Sequence, residues 1–316
     1  MRGIIVARRR TESPSMREHW TLDPAVTFLN HGSFGACPRV VLEAQADWRA
    51  RMEREPMQFM LRDRWALLDA AREAVAAFVD APPDGLVFVR NASEGVNAVL
   101  RSVELAPDDE LLLLDHAYGA VLNAARFVAG RAGARVTVAR LPWPRASVEG
   151  VVDAVLEAVT PRTRLCVLDH VTSPTGLVLP IERLVPALAE RGVDTLVDGA
   201  HGPGQVEVSL RALQPAYYAA NLHKWVCAPK GAAFLWVRAD RRAGLRPLTI
   251  SHGHTMAEGK KTRLHLEFDW TGTDDPTPWL CAPTALEVMG GLLPGGWPAL
   301  RARNRAVALE ARATLC

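Results

Sequence analysis

Asn221-Leu-His-Lys224-Trp-Val-Cys-Ala-Pro-Lys-Gly231 is the most informative stretch of this sequence. Lys224 follows a histidine inside a mostly uncharged run that Pro-Lys-Gly closes. Most lysines are solvated surface residues. The apolar neighbours of Lys224 instead favour partial burial, which lowers the pKa of a lysine and makes its neutral amine available. A neutral amine is what a Schiff base with a carbonyl compound requires. The alternative role of Lys224 is that of a partly buried structural lysine.

An acidic residue ends an apolar run upstream of this lysine. Residues 193–198 predict a short buried strand that ends at Asp198, and Gly199-Ala-His201-Gly-Pro-Gly204 then breaks the chain. Ligands of open α/β sheets bind at the carboxyl ends of the strands. Pyridoxal phosphate needs an acid beside its pyridine nitrogen and a lysine at its aldehyde carbon, and Asp198 and Lys224 form that pair. Turn formation at a strand end is the alternative role of Asp198.

Apolar runs and helical periodicity alternate along the chain. Seven runs are strand candidates: 86–89, 111–115, 135–139, 164–169, 193–198, 217–219 and 231–237. Apolar residues recur every three or four positions in 41–54, 61–79, 148–159, 181–191, 282–292 and 297–313, which indicates helices. Because helices join most of the strands, we predict an α/β fold with a mainly parallel seven-stranded sheet covered on both faces.

A candidate anion site follows the first predicted strand. Asn91-Ala-Ser-Glu-Gly-Val-Asn97 leads from that strand into an apolar helix. The free N–H groups of a helix N-terminus and the helix dipole both favour an anion at such a turn. We therefore expect the cofactor phosphate at Ala92 and Ser93, with Glu94 and Gly95 lining the same turn. An ordinary N-cap is the alternative role of Asn91 or Ser93.

Composition argues against several classes of protein. The chain has 316 residues and a formal net charge of +2, which disfavours an electrostatic binder of nucleic acid or of membrane surfaces. No run approaches the ~18 apolar residues of a membrane span. Five scattered cysteines without metal spacing indicate free thiols in a reducing cytoplasm. The basic start has no apolar segment behind it, so we expect residues 1–26 to be an unstructured tail and not a secretory signal.

Together these motifs resemble the class V aminotransferase family of fold-type I pyridoxal phosphate enzymes. Asp198-Gly-Ala-His201 and the 221–231 stretch carry this resemblance. Thr27-Phe-Leu-Asn-His-Gly-Ser-Phe-Gly-Ala-Cys-Pro38 and Thr271-Gly-Thr-Asp-Asp-Pro-Thr-Pro278 are similar to the isopenicillin N epimerase-like branch. The resemblance implies a large cofactor-binding domain at 27–280, with an N-terminal arm, and the start of a small C-terminal domain at 281–316. We expect that small domain to be truncated, because enzymes of this kind continue beyond residue 316.

The resemblance assigns cofactor contacts on several further loops. Either His116 or Tyr118 stacks on the pyridine ring, and the sequence does not choose between them. The resemblance also places hydrogen bonds to the phenolic oxygen, the ring edge and the phosphate on Thr172, Ser173, His201, Asn221 and His223.

Two further implications concern the substrate and the partner subunit. The arm lies over the mouth of the active site in the family, which makes Asn30, His31 and Gly32 candidate substrate contacts. Thr273 is implied to reach the phosphate of the other subunit in a homodimer. The family arginine that holds the substrate carboxylate has no counterpart here, and we expect it in the missing portion.

The implied activity is that of a pyridoxal phosphate enzyme acting on an amino acid through an external aldimine. Lys224 holds the cofactor and then removes the α-proton, while Asp198 keeps the ring electron-withdrawing. Return of the proton to the opposite face gives epimerisation, protonation of the cofactor gives transamination, and loss of a β-substituent gives a C–S lyase or cysteine-desulfurase-like outcome. These outcomes remain open at the level of sequence.

Three other functions are weaker alternatives. A metal-dependent hydrolase would use Asp115-His116, Asp169-His170 and His252-Gly-His254, but it leaves Lys224 unexplained, and we expect no metal. A nicotinamide dehydrogenase would need a third glycine after Gly202-Pro-Gly204. A truncated chain that binds the cofactor without turnover is the third alternative.

Overall fold

A seven-stranded sheet organises the structure. The computed structural model describes residues 16–144 and 147–315. The strands are β1 (Leu86–Val89), β2 (Glu110–Leu114), β3 (Arg135–Ala139), β4 (Thr163–Asp169), β5 (Asp194–Asp198), β6 (Tyr217–Asn221) and β7 (Ala233–Val237). Their order across the sheet is β1-β7-β6-β5-β4-β2-β3, and β7 alone of these runs antiparallel to its neighbours. The predicted mainly parallel α/β sheet is confirmed.

Helices of the described residues occupy the segments between and around these strands. They are α1 (His31–Phe34), α2 (Arg39–Arg54), α3 (Pro56–Gln58), α4 (Arg64–Phe78), α5 (Ala92–Ser102), α6 (Gly119–Ala132), α7 (Val148–Glu157), α8 (Ile181–Ala189), α9 (Leu210–Leu213), α10 (Arg263–Asp269), α11 (Thr277–Leu280), α12 (Ala282–Gly291) and α13 (Gly296–Leu315). Short 3-10 turns lie at Met16–His19, Pro83–Gly85, Ala239–Arg241 and His252–His254, and a π-helical turn joins α3 to α4 at Phe59–Asp63.

Alternating side chains of the strands build two apolar layers. Val87 and Val89 point to the layer that contains α5, α6 and α10, whereas Leu86 and Phe88 point to the layer of α2, α4, α7, α8 and α12. Successive side chains of a strand face opposite sides, so a strand that is apolar at every position must be covered on both faces. All positions of β1, β2, β6 and β7 are buried, as this arrangement requires.

The C-terminal part of the chain is packed into the same body. Cys281, Ala282 and Ala285 are fully buried in the main core, and α12 contacts α4 and α2. A buried ion pair joins α4 to α10, where Nη2 of Arg72 lies 2.7 Å from both carboxylate oxygens of Asp269. The division into domains at 280 and 281 stays a prediction.

Two further sequence expectations concern the N-terminus and membranes. Of the tail expected at residues 1–26, residues 1–15 lie outside the described residues. In the described part, Met16–His19 forms a 3-10 turn, and Trp20 donates its indole N–H to the carbonyl of Ala36 in the arm. Across 16–144 and 147–315, no helix has the length and apolarity needed to cross a bilayer.

Candidate active site

Lys224 lies on a tight loop between β6 and β7, at the carboxyl edge of the sheet. The amides of Leu222 and His223 both donate to the carbonyl of Ala232, at 2.9 and 3.1 Å, and the amide of Ala228 donates back to Leu222. These bonds hold the two ends of the loop together and direct the side chain of Lys224 toward the end of β5. Its Nζ lies 3.0 Å from Nε2 of His201. Burial lowers the pKa of Lys224, and the charge of Asp198 opposes that shift.

The N-terminal arm is fitted against this loop. Nε2 of His31 donates to the carbonyl of Lys224 at 2.9 Å, and Nδ1 of His31 accepts from the amide of Ala36 at 3.3 Å. Gly35 adopts a left-handed φ of 43°, and a Cβ there would overlap the carbonyl oxygen of His223. Only glycine permits this approach without displacing the lysine loop.

Two carboxylates stand side by side at the ends of β4 and β5. Asp169 and Asp198 are register partners, and both are buried. Burial and the neighbouring charge of Asp198 raise the pKa of Asp169 to about 8, and burial also raises the pKa of Asp198. Asp198 accepts a hydrogen bond from the amide of Ala200 at 3.0 Å and faces Lys224, and both interactions favour its ionised form. Between the two, the surroundings therefore favour ionisation of Asp198 over ionisation of Asp169.

The turn before α5 is held by two asparagines. Asn91 caps α5 by accepting from the amide of Glu94 at 2.8 Å. Asn221, at the end of β6, accepts from the amide of Ala92 at 2.8 Å. We expected the amide of Ala92 to bind the phosphate, but it donates to the side chain of Asn221 instead. Among the described residues, the amide and the hydroxyl of Ser93 have no acceptor, so Ser93 is the donor that the first turn leaves for an anion.

A cavity of about 360 Å³ gathers these groups at the carboxyl edge of the sheet. Predicted residues that line it are Ala92, Ser93, Tyr118, Ser173, Asp198, His201, Asn221, His223 and Lys224. A second cavity of about 550 Å³ shares Tyr118, Ser173, His201 and Lys224 with the first and extends outward. Asn30 and Gly32 of the arm line the outer cavity, and their contact with a substrate stays a prediction.

Several predicted residues lie away from the inner cavity. His116 is buried and pairs with the carboxylate of Asp115 at 2.8 Å, whereas Tyr118 lines both cavities and is half exposed. The hydroxyl of Thr172 lies 2.7 Å from that of Thr175 and accepts from the amide of Leu177, which ties it into its own turn, although Thr172 lines the outer cavity.

Four more predicted residues also lie outside the lining of the inner cavity. Glu94 accepts from the amide of Arg90 at 2.6 Å, and Gly95 packs against Ala219 of β6. Thr273 is exposed and lines neither of these cavities. His31 contacts the lysine loop, as described above, and does not line either cavity.

Sequence reasoning missed three groups that the structure brings to the site. Asp169 ends a predicted strand, and this position could have indicated a site residue. Its pairing with Asp198 in the sheet could not be read from the sequence. Trp225 donates its indole N–H to Nδ1 of His201 at 3.2 Å. Asn304 and Arg305 of α13 line the outer cavity, and no local sequence feature distinguishes them from other residues of that helix.

Histidines proposed for a metal site are separated in the structure. His254 contacts Glu267 at 2.9 Å, and Nδ1 of His170 lies 2.8 Å from the hydroxyl of Tyr218. In the described part of the chain, no three side chains of His, Cys, Asp or Glu are grouped so that they could hold a metal ion. The geometry therefore gives the hydrolase alternative no support.

Comparison with known proteins identifies the family. The sequence profile described as aminotransferase class-V matches residues 15–270. The chain belongs to the class-V aminotransferase family. An isopenicillin N epimerase of Amycolatopsis lactamdurans is 40% identical over 312 residues, covering 95% of this chain and 77% of that protein. A probable chloroplastic L-cysteine desulfhydrase of Arabidopsis thaliana is 32% identical over 303 residues, covering 91% and 63%.

Solved structures confirm the fold of this class-V chain. The complex of a cystine C–S lyase with cysteine persulfide aligns with a TM-score of 0.76, covering 83% of this chain and 71% of the lyase, at 23% identity. The fold is that of fold-type I pyridoxal phosphate enzymes, and the cofactor of the family is pyridoxal phosphate.

The residues of the inner cavity suit this cofactor. An ionised carboxylate at a strand end matches a protonated pyridine nitrogen. The free donors of Ser93 at a helix N-terminus match a phosphate. A half-buried lysine between them matches the aldehyde carbon. The chemistry of the donor set therefore fits pyridoxal phosphate.

Proposed function

We propose that this class-V enzyme abstracts the α-proton of an amino acid with Lys224 and returns it as an epimerase does. The observation that carries the proposal is the presence of Lys224, Asp198 and Ser93 in one cavity of about 360 Å³. When bound, pyridoxal phosphate supplies an electron-withdrawing ring for the electron pair that the departing proton leaves behind.

Different residues of the chain would contact different parts of this cofactor. Asp198 would pair with the ring nitrogen, Ser173 would contact the phenolic oxygen, and Tyr118 would cover one face of the ring. Ser93 would donate to the phosphate, while Asn221 would act indirectly by holding the amide of Ala92.

His223 would contribute to the phosphate site through its second nitrogen. Its Nδ1 donates to the carbonyl of Ala232 at 3.0 Å, so its Nε2 carries a proton only when the ring is positively charged. Burial lowers the pKa of His223 to about 4 in the protein alone. A bound phosphate dianion would favour the charged ring of His223 and so raise that pKa.

The outer cavity supports a substrate larger than cysteine. Its volume is about 550 Å³, and its lining combines polar side chains with apolar ones such as Leu29, Val178 and Val206. Arg305 lies at the same cavity and would bind an acidic group at the far end of an extended side chain. An epimerase-like substrate of this kind agrees with the relative that is 40% identical.

A C–S lyase acting on cysteine is the second candidate. The relative named as a probable L-cysteine desulfhydrase supports it. A substrate as small as cysteine would leave the outer cavity unused, which is why the extended substrate is our first choice. Transamination is a third outcome of the same proton removal.

We also propose a cytoplasmic homodimer in which Thr273 contacts the phosphate of the other subunit. Thr273 is exposed and lines neither cavity of its own chain, which agrees with a role in the other subunit. The free and buried thiols of Cys37, Cys166, Cys227 and Cys281 agree with a reducing compartment.

The first experiment tests the lysine. The full chain is mixed with pyridoxal phosphate, reduced with borohydride and digested, and the labelled peptide is identified by mass. We expect the label on Lys224, no label at that site in Lys224→Ala, and full labelling in Lys230→Ala, which changes an exposed lysine of the same loop.

The second part of the experiment tests the reaction. Loss of the α-proton signal in D₂O is followed by NMR over a panel of amino acids, and D-isomer, pyruvate and sulfide are assayed. We expect Lys224→Ala to slow exchange by about 10²- to 10⁴-fold, the range for a general base. Pyruvate and sulfide from cysteine without inversion would favour the lyase. Attachment of the cofactor without exchange on any amino acid would contradict the proposal.

A further inference from the structure

The side chain of Trp225 restricts the hydrogen bonding of His201. Indole Nε1–H is a donor and cannot accept. It lies 3.2 Å from Nδ1 of His201, so that nitrogen must be the acceptor. Nε2 of the same ring lies 3.0 Å from Nζ of Lys224. The protonation of one histidine thus depends on a tryptophan on one side and a lysine on the other.

Only one neutral form of His201 satisfies both contacts. A neutral imidazole has one donor and one acceptor nitrogen. Because Nδ1 accepts from Trp225, the ring proton must be on Nε2, where it points at Nζ of Lys224. An ammonium group has no lone pair to accept that proton, whereas a neutral amine has one.

We propose that Trp225 is a positioning residue that fixes His201 in its Nε2–H form, and that this proton holds Lys224 as a neutral amine ready to receive the cofactor. The proposal rests on the function proposed above for Lys224 and adds the device that prepares it. Attachment joins Nζ to the aldehyde carbon and releases the aldehyde oxygen as water, which takes both protons of the neutral amine.

Charged and titratable groups around Lys224 agree with this arrangement. Burial lowers the pKa of His201 to about 4, so the ring is neutral at physiological pH. Burial also lowers the pKa of Lys224. Asp198 from β5 opposes this shift, and the other titratable side chains at the inner cavity are Asp169, Tyr118 and His223. Burial and the neighbouring charge of Asp198 raise the pKa of Asp169, which favours its protonated form.

Two glycines and a histidine pack closely against Trp225. Gly32 of the arm passes so close that a Cβ there would lie 3.0 Å from Cζ2 of Trp225. A Cβ on Gly204 would meet the carbonyl carbon of Trp225 at 2.7 Å. The ring of His31 lies against the indole with centroids 5.2 Å apart. These contacts hold the backbone and one side of the indole of Trp225 next to His201.

The test uses the full chain carrying ¹⁵N-labelled histidine, first without the cofactor. Nitrogen NMR distinguishes a protonated ring nitrogen from an unprotonated one in each histidine. We expect Nε2 of His201 to be protonated in the wild-type chain. In Trp225→Phe, which keeps an aromatic ring but removes the donor, we expect the tautomer ratio to shift toward Nδ1–H by about fivefold, the effect of one neutral hydrogen bond.

The second readout is the rate of pyridoxal phosphate attachment as a function of pH. Without the Nε2–H, His201 can accept from a charged Lys224, so more lysine stays protonated. We expect attachment below its pH midpoint to be about fivefold slower in Trp225→Phe, with the midpoint displaced upward. Trp297→Phe is the matched control, because it also removes one indole bond, to the carbonyl of Leu286, away from the site.

The outcomes separate this inference from the proposed function. A wild-type His201 protonated on Nδ1 would overturn the inference, even if Lys224 binds the cofactor. An unchanged tautomer and an unchanged pH midpoint in Trp225→Phe would overturn it too. Failure of Lys224 to carry the cofactor would overturn the proposed function and leave the tautomer result standing.

Discussion

Arg305 is the residue at which the choice of substrate can be tested. It lies on α13, its side chain is exposed, and among the described residues it has no carboxylate partner. We expect Arg305→Ala to raise KM about tenfold for an amino acid whose side chain ends in a carboxylate, the effect of one charged hydrogen bond. Its kcat should change less than about twofold, because the group binds ground and transition states alike.

A neighbouring arginine provides the control for this prediction. Arg303 is on the same helix and exposed, but it does not line the cavity. Steady-state kinetics on acidic and neutral amino acids should show no change for Arg303→Ala, and none for neutral substrates of Arg305→Ala. An equal effect of the two variants would refute an acidic substrate.

At this scale, sequence could predict residues whose role follows from the type of residue and from the end of a strand. Lys224 and Asp198 belong to this group. The partner of each polar atom depends on contacts distant in the chain, which is why the use of Ala92 by Asn221 and the choice between His116 and Tyr118 were not predictable. Trp225 was visible beside the lysine, but its contact with His201 follows only from the folded loop.

At the scale of elements, the cap of α5 should affect both stability and cofactor binding. Asn91 accepts from the amide of Glu94 and fixes the turn that presents Ser93. We expect Asn91→Ala to lower the free energy of unfolding by about 1 kcal/mol. The affinity for pyridoxal phosphate should fall as well, because the first turn then loses its fixed shape.

Urea denaturation and a cofactor titration would measure these two effects. Ser147 caps α7 in the same way, by accepting from the amide of Gly150 at 3.0 Å, and α7 lies away from the cavities. Ser147→Ala should show a similar loss of stability without loss of cofactor affinity. Equal cofactor affinity in Asn91→Ala and the wild type would show that the cap does not shape the phosphate site.

Most of the strands were predictable because apolar runs leave few other buried structures. β3 is largely unburied, and its alternation of β-branched and polar residues was the signal there. The order of the strands was not predictable, since pairing depends on contacts between distant parts of the chain. The one-turn helix α1 was also missed in a segment rich in glycine, where local signals favour a turn. Its shape is decided by the contact of the arm with the lysine loop.

At the scale of the whole molecule, mixed dimers would test whether Thr273 acts in the other subunit. Subunits that carry Lys224→Ala are combined with subunits that carry Thr273→Val, under separate affinity tags. If Thr273 acts across the dimer, one site of the hybrid receives both changes and the other receives none. We therefore expect one cofactor per hybrid dimer, bound with wild-type affinity.

Cofactor titration and sedimentation of the purified hybrid measure this outcome. The two parent dimers are the controls, since each carries the same change in both sites. If Thr273 served its own subunit, every site of the hybrid would carry one change and none would have wild-type affinity. A chain that remains monomeric at all concentrations would also contradict the proposal.

Because β7 runs antiparallel to its neighbours and pairs with β1, the cofactor site forms late in the synthesis and folding of the chain. β7 pairs with β1, so Val89 lies opposite Ala233. The turn at Ser93 is joined to the lysine loop by this pairing and by the bond from the amide of Ala92 to Asn221. Contacts between such distant segments form slowly, because the intervening chain must be ordered first. A chain still emerging from the ribosome cannot assemble the site until β7 has been synthesised. Acquisition of pyridoxal phosphate would therefore mark the chains in which β7 has joined the sheet.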